Sequence, residues 1–83
     1  MPEIARFYGI VIHIYFVREH NPPHFHAVYG NKEGAFCIRT LEMLYGNLPF
    51  KAQSLVKEWA AMYQAELMAM WDTKQRQKLK PLD

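Results

Sequence analysis

The spacing of apolar residues in this chain changes once. Up to about Tyr45 they fall in short runs bounded by turn residues, and after Pro49 they advance in threes and fours. The first pattern returns side chains to one face of a strand, the second to one face of a helix. A single change of period within 83 residues dictates strands first and helix last. The expected fold is therefore α+β: a small antiparallel sheet of four or five strands with one long C-terminal helix packed on one face.

The strands can be placed from their punctuation. Residues 4–8 form a short strand and Gly9 a bend. Residues 10–17 are the strongest strand, β-branched and aromatic, with Ile10, Ile12, Ile14 and Phe16 on one face and Val11, His13, Tyr15 and Val17 on the other. Asn21, Pro22 and Pro23 end the pairing. Residues 24–29 follow, with His24, His26 and Val28 on one face and Phe25, Ala27 and Tyr29 on the other. Residues 30–34 read as a five-residue hairpin loop. Residues 35–39 come next, with Phe36 and Ile38 facing the core and Cys37 on the opposite face. A turn at residues 40–42 returns the chain to a last strand at residues 43–45. From Pro49 to about Lys74 the stripe of Leu55, Val56, Trp59, Tyr63, Leu67 and Met70 marks one helix. At 1.5 Å per residue it would be roughly 37 Å long. Its end, with Met68, Met70 and Trp71, would then project beyond the sheet, and those side chains are either core or, if exposed, a partner-binding surface.

A chain this small buries only about 60–65% of the surface its unfolded form exposes. Cys37 is its single cysteine, so neither an internal disulfide nor a multi-cysteine zinc site can compensate. Hydrophobic residues at 51% are too many for intrinsic disorder. No apolar run approaches the ~18–20 residues of a membrane span, and the N-terminus lacks a signal-type apolar core. The expectation is a cytoplasmic protein with no membrane partner. Charge is balanced over residues 1–50. The formal net charge of +2 arises in residues 51–83, where Lys74, Arg76, Lys78 and Lys80 cluster at the end. This divides the chain into a domain, residues 1–73, and a basic tail, residues 74–83. The tail is either solvated or an arm that contacts phosphate or a partner.

The chemistry concentrates in Arg18, Glu19, His20, Asn21, Pro22, Pro23, His24, Phe25 and His26. Three of the four histidines lie within seven residues, and two prolines stiffen the turn between them. On a strand His24 and His26 leave the same face, about 7 Å apart at Cα. Three readings stay open. The imidazoles could hydrogen-bond to backbone and organise the turn. They could act as general base and acid on a phosphate, with Arg6, Arg18 or Arg39 supplying positive charge and Glu19 in support. Or His20, His24 and His26 could hold zinc with an open position. Cys37 reads as a structural thiol, and the strand tyrosines as packing.

Several segments carry a family resemblance: Met1-Pro2-Glu3-Ile4, Arg6-Phe7, Gly9-Ile10, Glu19-His20, Pro22-Pro23-His24-Phe25-His26-Ala27, Tyr29-Gly30, Leu48-Pro49 and Trp59. In these the chain resembles a family of small bacterial proteins, domain of unknown function 4160. The resemblance spans nearly the whole chain, and its most specific part runs from Asn21 to His26. It implies a partner encoded beside the protein, in an arrangement like a toxin–antitoxin pair with this chain on the toxin side. It brings no settled catalytic mechanism. By position it points to Glu19, His20, His24 and His26, while His13 stands where the family pattern is loose.

Two classes of function follow. The first is a growth-inhibiting toxin, ribonuclease-like, that acts on RNA or translation through the histidines and is held by an antitoxin-like protein. The second is a non-catalytic module that binds a partner chain or a second copy, with structural histidines. A zinc-dependent hydrolase is a third reading.

Overall fold

The computed structural model describes residues 3–16 and 22–82. Five strands form one antiparallel sheet in sequence order: β1 (Glu3–Phe7), β2 (Ile10–His13), β3 (His24–Tyr29), β4 (Lys32–Cys37) and β5 (Met43–Gly46). Every connection joins neighbours, as short turns require. Two helices follow, α1 (Phe50–Met62) and α2 (Gln64–Thr73). The architecture is α+β, and no described helix is long and apolar enough to cross a membrane.

Register follows from the turns. Phe7 pairs with Ile10 around Tyr8 and Gly9, and Tyr29 pairs with Lys32 around Gly30 and Asn31. The second hairpin is therefore closed by two residues, not by the five-residue loop expected from sequence. Gly30, with φ 62°, lets the chain reverse three residues sooner than expected, and β4 starts at Lys32. β2 is shorter than expected and ends at His13. Beyond it, Ile14 is fully buried and its carbonyl accepts from Arg76 Nε at 2.8 Å. Val17, Arg18, Glu19, His20 and Asn21 lie outside the described residues.

The two faces of the sheet differ as the alternation predicts. Ile10, Ile12, Ile14, Phe25, Phe36 and Ile38 are fully buried. They share one cluster with Val56, Trp59, Ala60, Leu67 and Met70 of the helices. Trp59 is its centre, with its ring 5.6 Å from Phe7 and 6.1 Å from Phe25, while Phe25 and Phe36 stack at 5.5 Å. Each such side chain contributes about 1.5–3 kcal/mol by leaving water. On the opposite face Val11, His13, His26 and Val28 are half-buried, while His24, Ala35 and Cys37 are buried.

The expected single helix is two. Tyr63 leaves helical geometry at φ −126°, ψ 22°, and its N–H bonds back three residues, to the Ala60 carbonyl. Gln64 Nε2 then donates to the carbonyls of Ile38 and Arg39, at 2.9 and 3.0 Å. This ties the start of α2 to the turn after β4. A straight helix of roughly 37 Å would overrun a molecule whose longest dimension is 30 Å. The break keeps the second half against the core, so the methionine end does not project. Met70 is 2% exposed, and Met68 and Trp71 pack against the cluster.

The segment set apart as a basic tail docks on the fold. The Leu79 N–H donates to the Ile4 carbonyl at 2.8 Å, on β1. Trp59 Nε1 donates to the Lys80 carbonyl at 2.9 Å. Leu79 and Leu82 pack against the core.

Candidate functional site

Residues opposite each other in an antiparallel pair share a face. The pairs His13–His26 and His24–Cys37 therefore bring three histidines and the thiol to the face that turns away from the core. His24 and His26 are adjacent, with ring centroids 5.2 Å apart. Tyr15 reaches His26 at 5.1 Å and His13 at 6.0 Å, and Tyr45 of β5 reaches His26 at 6.3 Å. Trp71 of α2 covers His24 at 5.3 Å. Arg76 and Lys74 in turn lie over Phe16, 4.7 and 5.8 Å from its centroid.

Each central imidazole is held through Nδ1. His24 is 4% exposed, and its Nδ1 lies 3.0 Å from the Pro22 carbonyl. A carbonyl only accepts, so the proton sits on Nδ1 and a neutral ring keeps its lone pair on Nε2. The proline turn is what fixes that carbonyl. His26 Nδ1 lies 3.0 Å from Glu33 Oε2. A carboxylate also only accepts, so His26 takes the same tautomer. Burial holds the His26 imidazole below its ordinary range; the Glu33 hydrogen bond pulls it up, the neighbouring His24 pushes it down, and the net shift is downward. His26 thus presents a neutral Nε2 at pH 7, oriented by a carboxylate. Tyr15 Oη lies 3.4 Å from His13 Nδ1. A cleft of about 180 Å³, lined by Pro22, His24, Leu44 and Tyr45, opens beside the pair.

The other candidates fall in different places. Arg6 lies along Glu3, with contacts of 2.8 and 3.3 Å, so its guanidinium is engaged within β1. That pairing lowers the Glu3 carboxyl and raises Arg6. Arg39 is exposed in the turn after β4 and has no ion pair among the described residues. Its charge is felt by Cys37. Burial pushes that thiol up, but hydrogen bonds from Thr40 and the Arg39 backbone, with the Arg39 charge, outweigh it and the net shift is down. Arg18, Glu19 and His20 lie outside the described residues. Among the described residues, no three of His, Cys, Asp and Glu converge so as to hold a metal ion. The zinc set drawn from sequence includes His20, and the rest of that set is two donors.

Glu33 and Tyr45 join the site without having been picked out from sequence, and so do Tyr15, read there as a packing residue, and Trp71, read as part of the helix end. Glu33 was within reach: a two-residue turn at Gly30 and Asn31 places it opposite Val28, diagonal to His26 on the same face. The five-residue loop hid it.

A family model, Domain of unknown function (DUF4160), matches residues 9–72. No curated protein and no solved structure matches the chain.

Proposed function

The chain belongs to the DUF4160 family, and from that premise we propose that it is a ribonuclease-like protein whose acid–base pair is His26 and His24. One observation carries the reading. Two imidazoles stand 5.2 Å apart, each with Nδ1 tied to a fixed acceptor and with no Nε2 partner among the described residues, and one is oriented by a carboxylate. Nucleophile-activating bases are commonly held in this way. In the proposed reaction His26 Nε2 takes the proton of a ribose 2′-hydroxyl, and the 2′-oxygen forms a bond to phosphorus. The bond from phosphorus to the 5′-oxygen breaks, and protonated His24 gives that oxygen its proton from Nε2. The products are a 2′,3′-cyclic phosphate and a 5′-hydroxyl. Arg39 would balance charge on the phosphate. In this proposal the activity inhibits growth and a neighbouring antitoxin-like protein restrains it, as the family resemblance implies.

The test is cleavage of a labelled single-stranded oligoribonucleotide by the full chain, its His24→Ala and His26→Ala variants, and Glu33→Gln. Wild type should cleave, and either alanine variant should be slower by at least about a hundredfold, the scale of general acid–base catalysis. Expression without a partner should slow growth in wild type only. Equal cleavage in all variants, or none in wild type, removes the proposal. A second reading is supported by the 4% exposure of His24: the cluster is architectural and its face docks another protein. In that case His24→Ala lowers the melting temperature while wild type cleaves nothing.

A further inference from the structure

The end of the sheet away from the histidines carries a second set of features. Tyr29 is five residues beyond His24 on β3, about 16 Å along the strand. Next to it is the β1–β2 turn, where Tyr8 has φ 49° and Gly9 φ 78°. Two successive positive φ values are the hairpin geometry that favours Asn-Gly. A tyrosine in the first position is strained, because its Cβ crowds the backbone there. Burial does not compensate, since Tyr8 is 57% exposed. Its ring is nevertheless held, edge-on to Phe7 at 6.5 Å.

Tyr29, 41% exposed, lies across Gly9. Its ring comes within 3.4 Å of where a Cβ would stand. Two aromatic rings from two different turns thus line one cleft of about 130 Å³, completed by Ile10, Pro49, Lys51 and Leu55. A neighbouring cavity of about 430 Å³ shares Tyr8, Lys51 and Leu55. Lys51 has no ion pair among the described residues, and the first turn of α1 has no acidic residue. Glu58 also lines the larger cavity but makes no ion pair with Lys51. Flat aromatic walls with one cation that is not ion-paired suit a ligand that is itself flat, aromatic and anionic at one end.

We propose that Tyr8, Tyr29 and Lys51 form a second binding site, which takes one unpaired nucleotide of a single strand. The base stacks against the tyrosines, as bases of any sequence can. Lys51 takes the phosphate and releases a counterion. The strained Tyr8 is the cost of placing a ring at the tip of the turn. A groove for a proline-rich peptide would also use aromatic walls, but it has no need of Lys51. The site does not depend on the histidine chemistry.

The test uses the full chain and a labelled 2′-O-methyl hexaribonucleotide, which lacks the attacking hydroxyl. Binding is therefore read whether or not the protein cleaves RNA. The same sequence as DNA shows whether the ribose is sensed. Tyr8→Asn gives the turn a better residue, so its melting temperature should rise while affinity falls about tenfold, the scale of one lost base stack. Lys51→Gln should weaken binding and flatten its salt dependence by about one phosphate contact. Resonances of Tyr8 and Tyr29 should move on titration in wild type. Any of three results overturns the proposal: wild type does not bind, Tyr8→Asn binds as wild type does, or a proline-rich peptide moves these resonances and the oligonucleotide does not.

Discussion

At His26 three influences meet. Burial disfavours the charged ring, Glu33 favours it, and His24 opposes it again, with a net lowering. A histidine whose folded pKa lies below its unfolded value of about 6.5 binds its proton more tightly in the unfolded chain. Its contribution to stability is then full above about pH 6.5 and is lost as pH falls through the lower folded pKa. The melting temperature should fall across that window, and less steeply in His26→Gln. Glu33→Gln removes the upward pull, so an NMR titration should find His26 lower still than in wild type. A His26 that titrates above 6.5 would show that burial does not dominate at this ring, and one that does not respond to Glu33→Gln would show that the carboxylate does not hold it. Glu33 is 53% exposed, so its pairing adds little stability, and its effect is on tautomer and orientation. The pair His24 and His26 was legible in the sequence because a strand's period of two settles it. Glu33 was not, because its position depends on how many residues close a turn.

Among the elements, β5 is the one on which the cleft beside the histidines depends, since it carries Leu44 and Tyr45. Its hold on β4 rests on Gly46, at φ 128°. A Cβ there would stand 2.4 Å from both the Glu33 carbonyl oxygen and the Gly34 Cα. Those are backbone atoms and cannot rotate away. Gly46→Ala should therefore cost on the order of 3 kcal/mol, through both the close approach and the strained φ. It should also detach Tyr45 from His26, which Tyr45 ring shifts would report. An urea midpoint equal to wild type would mean that β5 is not held where Gly46 puts it. The helical half shows where periodicity stops informing. The apolar stripe runs through Tyr63 without a fault, so one helix was expected. The break comes from Gln64 reaching the carbonyls of Ile38 and Arg39, a contact between residues 25 or 26 apart that no local pattern records.

For the whole molecule, the difficulty is how so small a chain covers its core without a cross-link. The apolar stripe supplies Trp59, but the indole N–H still needs a partner in a buried site. It finds the carbonyl of Lys80. The same segment lays the Leu79 N–H on Ile4, covering part of the β1 edge that would otherwise be open to another strand. Composition marked residues 74–83 as a charged tail because Lys and Arg dominate the count, yet the fold uses the segment's backbone and its two leucines. Ending the chain after Lys74 should leave Trp59 Nε1 unsatisfied, at about 1–3 kcal/mol, and remove the cover of Leu79 and Leu82. Together these are a large part of the 5–15 kcal/mol that holds a typical domain. The truncated chain should melt well below wild type and self-associate through β1. A second variant separates charge from docking: Lys78→Gln with Lys80→Gln keeps every backbone contact. It should melt close to wild type while binding polyanions less well. If the truncated chain melts with wild type, or the double Gln variant collapses as the truncation does, the segment acts through its charge and not through its place in the core.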